Sequence, residues 1–288
     1  MNGMIHILLP VYNRREITRR FIGCLKVQTY QHFHLVLIDD GSTDGTAEMV
    51  RENITNLTVI TGKGNWWWAG SLQQGYQWLK KRNIPESDLV LIINDDVEFE
   101  DDFLEKTLTF LTNRKNTLLL ARCYCRESGV LIDSGVHVDW AGFSFRQAIT
   151  PSEINCLSTR GLFMRLSDFF KIGGFYPILL PHYTSDYEFT IRAHRKGFQL
   201  VSVTECWLKV DQKTTGFRNL SSYSLKFFWR KIFSNKSVEN PLIWTAFILV
   251  SCPLKYKFMN ILRVWLNFSA LVYKANLPVK TNKRVLDK

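Results

Sequence analysis

Leu35-Val36-Leu37-Ile38-Asp39-Asp40 and Leu89-Val90-Leu91-Ile92-Ile93-Asn94-Asp95-Asp96 are the two stretches on which the fold of this chain turns. Each is a continuous apolar run that ends on acids. Runs of this length without alternation suit strands of a parallel sheet covered on both faces. Carboxylates gathered at the carboxyl ends of such strands mark the crevice in which open α/β sheets bind ligands. Two acidic strand ends predict a single crevice, suited to a cation or a sugar-nucleotide.

Outward from these runs, strand and helix signals alternate up to residue 120. Ile5 to Pro10 reads as a strand, and Ile17, Phe21, Cys24 and Leu25 fall at the i, i+4, i+7 and i+8 positions of an amphipathic helix. Thr46 to Glu52 and Ser71 to Lys81 read as helices around a strand at Leu57 to Ile60. Asp101 and Asp102 open a helix carrying Phe103, Leu104, Leu108 and Leu111, with the acids at its positive end. This alternation predicts an α/β fold with a mostly parallel sheet flanked by helices. After a strand at Leu118 to Ala121 the pattern shortens, with strands at Val130 to Ile132 and Gly135 to Trp140 and a polar loop near Thr150 to Asn155. Leu162 to Phe170 and Phe189 to Lys196 read as helices, and Gln199 to Val203 as a late strand.

The 288 residues, 46% hydrophobic and 22% charged, suffice for one large α/β core with an appendage. Charge is distributed unevenly. Residues 1–217 carry 24 basic and 24 acidic side chains, whereas residues 218–288 carry 13 basic and 2 acidic, so the whole formal excess of +11 lies in the last quarter. That quarter also holds 12 of the 39 aromatic residues. Mixed aromatic and basic residues at helical spacing suit an interfacial membrane helix. The longest apolar run there, Pro241 to Leu254, is shorter than the roughly 20 residues a spanning helix needs. Residues 218–288 are therefore read as a helical appendage lying on a membrane surface. The competing reading is a helical subdomain that packs its aromatics on the core. A boundary is expected near Gly216 to Leu220, with a nucleotide-binding half at 1–120 and an acceptor half at 121–217.

Met1 to Leu9 shows neither a basic n-region nor a long apolar h-region, which predicts a cytoplasmic protein. The six cysteines show no C-x-x-C or Cys/His spacing and read as reduced, mostly buried thiols. No G-x-G-x-x-G follows the first strand, which speaks against a nicotinamide enzyme. A neutral core without RNA or DNA motifs speaks against nucleic acid as partner.

Four pieces in order, LLPVYNR (Leu8 to Arg14), LVLIDDGSTDGT (Leu35 to Thr46), LIINDDVEF (Leu91 to Phe99), and GGF followed by SDYEFTIRAHRKGF (Gly173 to Phe175, Ser185 to Phe198), resemble the family-2 inverting glycosyltransferases of the GT-A nucleotide-sugar-binding fold. The resemblance covers about residues 4 to 217. It implies that Pro10, Val11 and Tyr12 lie beside the nucleotide base, and that Asp39 or Asp40 accepts from a uracil or thymine N–H. Asn94 and Asp96 stand at the two acidic positions of the family's D-x-D element. Asp96 is thereby implied as ligand of a divalent cation, Mg2+ or Mn2+, with Asn94 and Asp95 on the nucleotide side. Asp186 matches the general base that takes the acceptor hydroxyl's proton, with Ser185 in place of the family's preceding acid. Glu188 and Gly161 are implied on the sugar and acceptor side. Lys209 falls where metal-dependent relatives often carry a histidine, and its ammonium is implied to neutralise the diphosphate instead.

Trp66-Trp67-Trp68 cannot all face one core, so at least one is expected to meet donor or acceptor; His182 is either an acceptor contact or a plain loop residue. The resemblance implies transfer from a UDP- or dTDP-sugar to a lipid-linked saccharide in surface polysaccharide assembly, peripheral on the inner face of the cell membrane. Two alternatives stand beside it. One is transfer directly to a polyprenyl phosphate, and the other is a non-catalytic membrane or nucleic-acid-binding protein.

Overall fold

The computed structural model describes residues 3–211, 229, 232–235 and 237–276. Four parallel strands form one half of the main sheet: β1 (Ile5–Val11), β2 (Phe33–Asp39), β3 (Leu57–Thr61) and β4 (Leu89–Ile92), in the order β3-β2-β1-β4. Their crossovers are α1 (Arg15–Lys26), α2 (Thr46–Asn53) and α3 (Trp67–Lys80). β5 (Val97–Glu98), α4 (Phe103–Leu111), β6 (Thr117–Cys125) and β7 (Leu131–Asp133) follow, then a separate hairpin of β8 (Val136–Asp139) and β9 (Ser144–Gln147). β10 (Leu162–Arg165), α5 (Leu166–Ile172), α6 (Ser185–Arg195) and β11 (Gln199–Val210) complete the sheet half. Among the described residues the main sheet has nine strands, its path continuing from β4 through β10, β6 and β11 to β5.

The expected α/β fold with helices on both faces is present, and the strand alternation explains why. Ile5, Ile7 and Leu9 point into a core under α1, α2 and α4, while Leu8 points into a second core under α3, α5 and α6. Both faces of β1 are buried, so it is apolar without alternation except for His6, whose ring is hydrogen-bonded to Asp88. α1 presents Phe21, Ile22 and Leu25 to the first core and carries Glu16 in its first turn and Lys26 in its last, each sign matched to the helix dipole.

One sequence expectation fails here. Leu162 to Phe170 was expected to be helical throughout, but Leu162–Arg165 is a strand, antiparallel to both β4 and β6, and the helix begins only at Leu166. A short all-apolar run has no period of its own, and burial between two strands decides it. β10 turns the sheet from parallel to mixed. Gly161, just before it, has φ +89° and lies so close to Leu208 and Ala121 that a Cβ would approach Leu208 to 2.6 Å. Its N–H donates to Ile92 and its carbonyl accepts from Ala121, so it serves as the hinge where β10 enters the sheet. The helix expected from Phe189 starts four residues earlier, at Ser185, and β11 runs on to Val210 past an irregularity between Val203 and Trp207.

The expected boundary at residues 216–220 lies outside the described residues, as does the start of the expected appendage. The C-terminal helices α7 (Pro241–Ser251) and α8 (Leu254–Asn276) are described. Asn240 caps α7, its side-chain oxygen accepting from the N–H of Leu242 at 3.0 Å, and Pro241 follows at the first turn, where its missing N–H costs nothing. Ile243 and Phe247 share a core with Val136, Val138, Cys156, Leu180 and Ile191. These helices are thus packed on the part of the chain between residues 136 and 191. All six cysteines are free, and all but Cys24 are buried.

Candidate active site

The carboxyl ends of β1, β2 and β4 lie side by side, with Val11 paired to Asp39 and Leu8 to Ile92. That register gathers Pro10 to Tyr12, Asp39 to Asp40 and Asn94 to Asp96 on one edge. Above it a cavity of about 330 Å³ is lined by Pro10, Val11, Tyr12, Arg14, Asp40, Gly64, Trp67, Trp68, Ser71 and His182. The Tyr12 side chain is half exposed there, an aromatic face available to a base.

The two acids of β2 hold the rim of this cavity. Asp39 is buried and its Oδ1 accepts from the Ser42 N–H at 2.8 Å, closing the turn after the strand. The Asp40 carboxylate accepts from the backbone N–H groups of Gly64 (2.9 Å), Asn65 (3.2 Å), Trp66 (2.8 Å) and Trp67 (3.3 Å). Asp40 therefore templates the tryptophan loop, and borders the cavity with oxygens already engaged. Trp67 adopts φ +58°, a left-handed conformation that a large side chain rarely takes. Such a residue costs on the order of 1–3 kcal/mol and persists only where its surroundings impose it. Trp66 and Trp68 pack against the core, and Trp68 Nε1 donates to Thr159 Oγ1 at 3.2 Å. Trp67 turns to the cavity, edge-on to the His182 ring at 6.4 Å between centroids.

Asp95 is buried, and Arg14 grips it through Nε at 2.8 and 3.0 Å while Thr18 Oγ1 donates at 2.8 Å. Burial pushes the Asp95 carboxyl up from its ordinary range, against the opposing pull of Arg14 and Thr18. Arg14 Nη2 also reaches Asp96 Oδ2 at 3.4 Å. Asp95, Asp96, Glu98, Lys209 and Asp211 border one small recess beside β5. Lys209 is exposed on β11, paired with Glu98, and its ammonium lies 5.2 Å from the centre of the Trp207 ring. Among the described residues no group of three or more His, Cys, Asp or Glu side chains is arranged to hold a metal ion. A Mg2+ site needs no such group, since one or two carboxylates with substrate phosphates and waters complete its shell. The Asp96 carboxylate at a strand end fits that pattern.

A second cleft, of about 470 Å³, is lined by Ser158 and Arg160, the residues that flank Thr159. Asp133, Ser158, Arg160, Tyr183, Asp186, Tyr187 and Trp244 line it, among others. Asp186 stands in the first turn of α6, behind Thr184, whose φ of +65° turns the chain into the helix. Its Oδ1 accepts from the Tyr187 N–H at 2.9 Å. Burial pushes the Asp186 carboxyl up to about 6; the Tyr187 N–H opposes this, Asp133 adds to it, and Arg160 opposes it again. A carboxylate with a pKa near 6 is ionised at neutral pH, yet more basic than an ordinary aspartate, as a general base requires. Glu188 points the other way. Its buried carboxylate pairs with Arg192 at 2.8 and 3.0 Å, and Arg192 donates onward to the carbonyls of Ile172 and Gly174. That bridge fixes the GGF turn to α6 and so fixes Asp186.

The structure thus brings Pro10, Val11, Tyr12, Asp40, Trp67 and Trp68 together around one cavity, places Asp95, Asp96 and Lys209 around a separate small recess tied to it by Arg14, leaves Asn94 lining neither, and gives Asp186 a cleft of its own. Gly161 and Glu188 lie behind the walls. Arg14, Asp133, Arg160 and Trp244 also line these cavities, and none of them stands out as a site residue in the sequence alone. An acid-reading arginine three residues past a strand end is a signal of sorts; the other three carry none.

Residues 6–171 match the family described as Glycosyl transferase family 2. The putative glycosyltransferase EpsE of Bacillus subtilis is 22% identical over 88% of this chain and 89% of its own length. An uncharacterized glycosyltransferase of Haemophilus influenzae is 31% identical over 38% of this chain, a match that spans only 42% of the relative. Among solved structures, S. aureus TarS 1-349 in complex with UDP-GlcNAc has a TM-score of 0.59 at 16% identity, covering 96% of this chain and 76% of that one. GalNAc-T7 with UDP, GalNAc and Mn2+ has a TM-score of 0.60 at 14% identity over 79% of this chain and 48% of its own. These likenesses share the GT-A fold, a curled central sheet with flanking helices. With more than half of its residues inside the family match, the chain belongs to glycosyl transferase family 2.

Proposed function

We propose that the protein is an inverting glycosyltransferase that moves a sugar from a UDP- or dTDP-sugar to a lipid-linked saccharide acceptor in polysaccharide biosynthesis. The observation that carries this reading is the position of Asp186, a carboxylate raised to about 6 that lines a cleft next to the strand-end cavity, with His182 lining the cavity and Tyr183 the cleft. The nucleotide enters between Tyr12 and Trp67. Asp186 takes the proton of the acceptor hydroxyl while that oxygen bonds to the anomeric carbon, and the bond from that carbon to the diphosphate oxygen breaks on the opposite face. Asp96 would hold a divalent cation, which when bound neutralises the departing diphosphate. Lys209 adds a charge at the same recess. The printed ligands of TarS and GalNAc-T7 support a nucleotide-sugar donor, and a putative teichuronic acid biosynthesis enzyme, 22% identical over 54% of this chain and 60% of its own, supports a polysaccharide product.

The test is release of nucleoside diphosphate from a panel of UDP-, dTDP- and GDP-sugars with a bacterial lipid extract, with and without Mn2+. Release from one donor that requires the extract is the expected result. No release and no nucleotide binding would move the reading to a non-catalytic protein.

The C-terminal helices support a place on the membrane surface. Leu254, Phe258, Leu262, Trp265, Leu266 and Tyr273 form an exposed stripe along α8 at helical spacing. The same helix carries Lys255, Lys257, Arg263 and Lys274 and no acid. Among the described residues no helix is long and apolar enough to cross a membrane. An amphipathic basic helix lies in the interface of an anionic bilayer. Replacing Phe258 and Leu262 together by Glu is expected to weaken sedimentation with phosphatidylglycerol vesicles by about tenfold or more, with nucleotide binding unchanged. Equal sedimentation of the variant would remove α8 from the contact.

A further inference from the structure

Arg160 lines the Asp186 cleft one residue after the segment that ties this cleft to the strand-end cavity, and among the described residues it holds no carboxylate. It follows Thr159, which Trp68 holds through its indole N–H, and it lines the cleft beside Asp133 and Asp186. Among the described residues it makes no ion pair within 4.0 Å, its Nε is sealed from solvent without a hydrogen-bond partner, and Nη1 reaches only Cys123 Sγ at 4.0 Å. Cys123 cannot supply a counter-charge, since burial pushes its thiol up to about 11. Asp96, Asp133 and Asp186 act on the guanidinium through space rather than by contact. Asp133 spends its carboxylate on Ser158 Oγ at 2.7 Å and on the Gly135 N–H at 3.0 Å.

A half-buried guanidinium with five donors and a single long contact to sulfur is costly unless something completes it. Arginine's planar fork is built for a pair of anionic oxygens, whether of a carboxylate or of a phosphate. We infer that Arg160 binds an anionic oxygen group of the donor, at the point where the sugar-diphosphate bridges from the strand-end cavity to the Asp186 cleft. This rests on the proposed transferase reading and adds to it a residue that selects the donor. Two parts of a donor carry such oxygens: the β-phosphate, and a carboxylate on the sugar as in a uronic acid.

The experiment uses the full chain, wild type beside Arg160→Gln and Arg160→Lys, with tryptophan fluorescence as the binding signal. The probes are UDP and UMP, dTDP and dTMP, and UDP-glucuronate beside UDP-glucose. If the β-phosphate is the partner, Arg160→Gln binds the diphosphates about tenfold or more weakly and the monophosphates unchanged. If a sugar carboxylate is the partner, nucleotide affinities stay level and a wild-type preference for UDP-glucuronate over UDP-glucose disappears. Arg160→Lys, which keeps the charge without the fork, is expected to lie between wild type and Gln in either case, and it serves alone if the Gln variant does not fold. Variants that melt as wild type and bind all six probes as wild type overturn the inference alone. A wild type that binds none of the probes overturns the transferase reading, and the inference with it.

Discussion

Asp186→Asn is expected to abolish transfer while leaving the fold at least as stable as before. The amide keeps the shape and can still accept from the Tyr187 N–H, but it cannot take a proton from a hydroxyl. Loss of a general base costs about 10²- to 10⁴-fold in turnover. The wild-type acid limb should match: kcat/KM is expected to fall tenfold per pH unit below about 6, the value to which burial raises this carboxyl.

Stability moves in the opposite sense. Because the folded-state pKa lies above the ordinary value of 3.8, the native state holds this proton more tightly than the unfolded chain. Its contribution is fully present below the unfolded pKa and is lost as pH rises from about 4 through about 6. The ionised carboxylate at pH 7.5 therefore costs at most about 3 kcal/mol, reduced by water in the open cleft. Asn removes that cost, so the variant should melt a few degrees higher at pH 7.5 and level with wild type at pH 4. A variant that retains activity, or melts lower at pH 7.5, would take the base away from Asp186.

Arg14→Ala is expected to produce the largest loss of stability of any single change at the site. Arg14 is the counter-charge of the buried Asp95, with two contacts at 2.8 and 3.0 Å, and the Thr18 hydroxyl alone would remain. Removing one partner of a buried ion pair costs about 3–5 kcal/mol, since the other charge is left uncompensated. The cost is expected to shrink as pH falls toward 5, because Asp95, already raised by burial, then protonates more readily. Urea unfolding at pH 7.5 and 5.5 measures both. The pair Arg14→Ala with Asp95→Asn should recover most of the loss. A single-mutant cost under about 1 kcal/mol would mean that water already screens the clamp.

The parallel half of the sheet was legible because its strands are dry on both faces, and burial of that kind leaves an unbroken apolar run such as Leu35 to Ile38. β10 was not, because Leu162-Phe163-Met164 carries no period and the sheet context alone makes it a strand. The strand-end acids marked the edge of the sheet at which the cavity lies, whereas the loop that folds back onto Asp40 through four backbone N–H groups left no trace in the sequence. Arg160 had no signal, because a lone arginine before a glycine reads as surface until the fold surrounds it. The tail's aromatics were read as membrane-facing, and the structure divides them. Trp244 and Phe247 join the cleft and its core, whereas Phe258, Trp265 and Tyr273 face outward.

Trp244 and Val238 line the same cleft as Asp186, and they come from a part of the chain more than fifty residues beyond it in sequence. The strand-end cavity is drawn from residues 10–71 and His182, while one wall of the cleft comes from α7 and the turn before it. The two cavities are therefore built from separable parts of the chain. On the proposed reading, exchange of the C-terminal helices between relatives would reshape the room offered to an acceptor while the strand-end cavity stays as it was, so that new linkages would arise by recombination at the tail rather than by rebuilding the sheet.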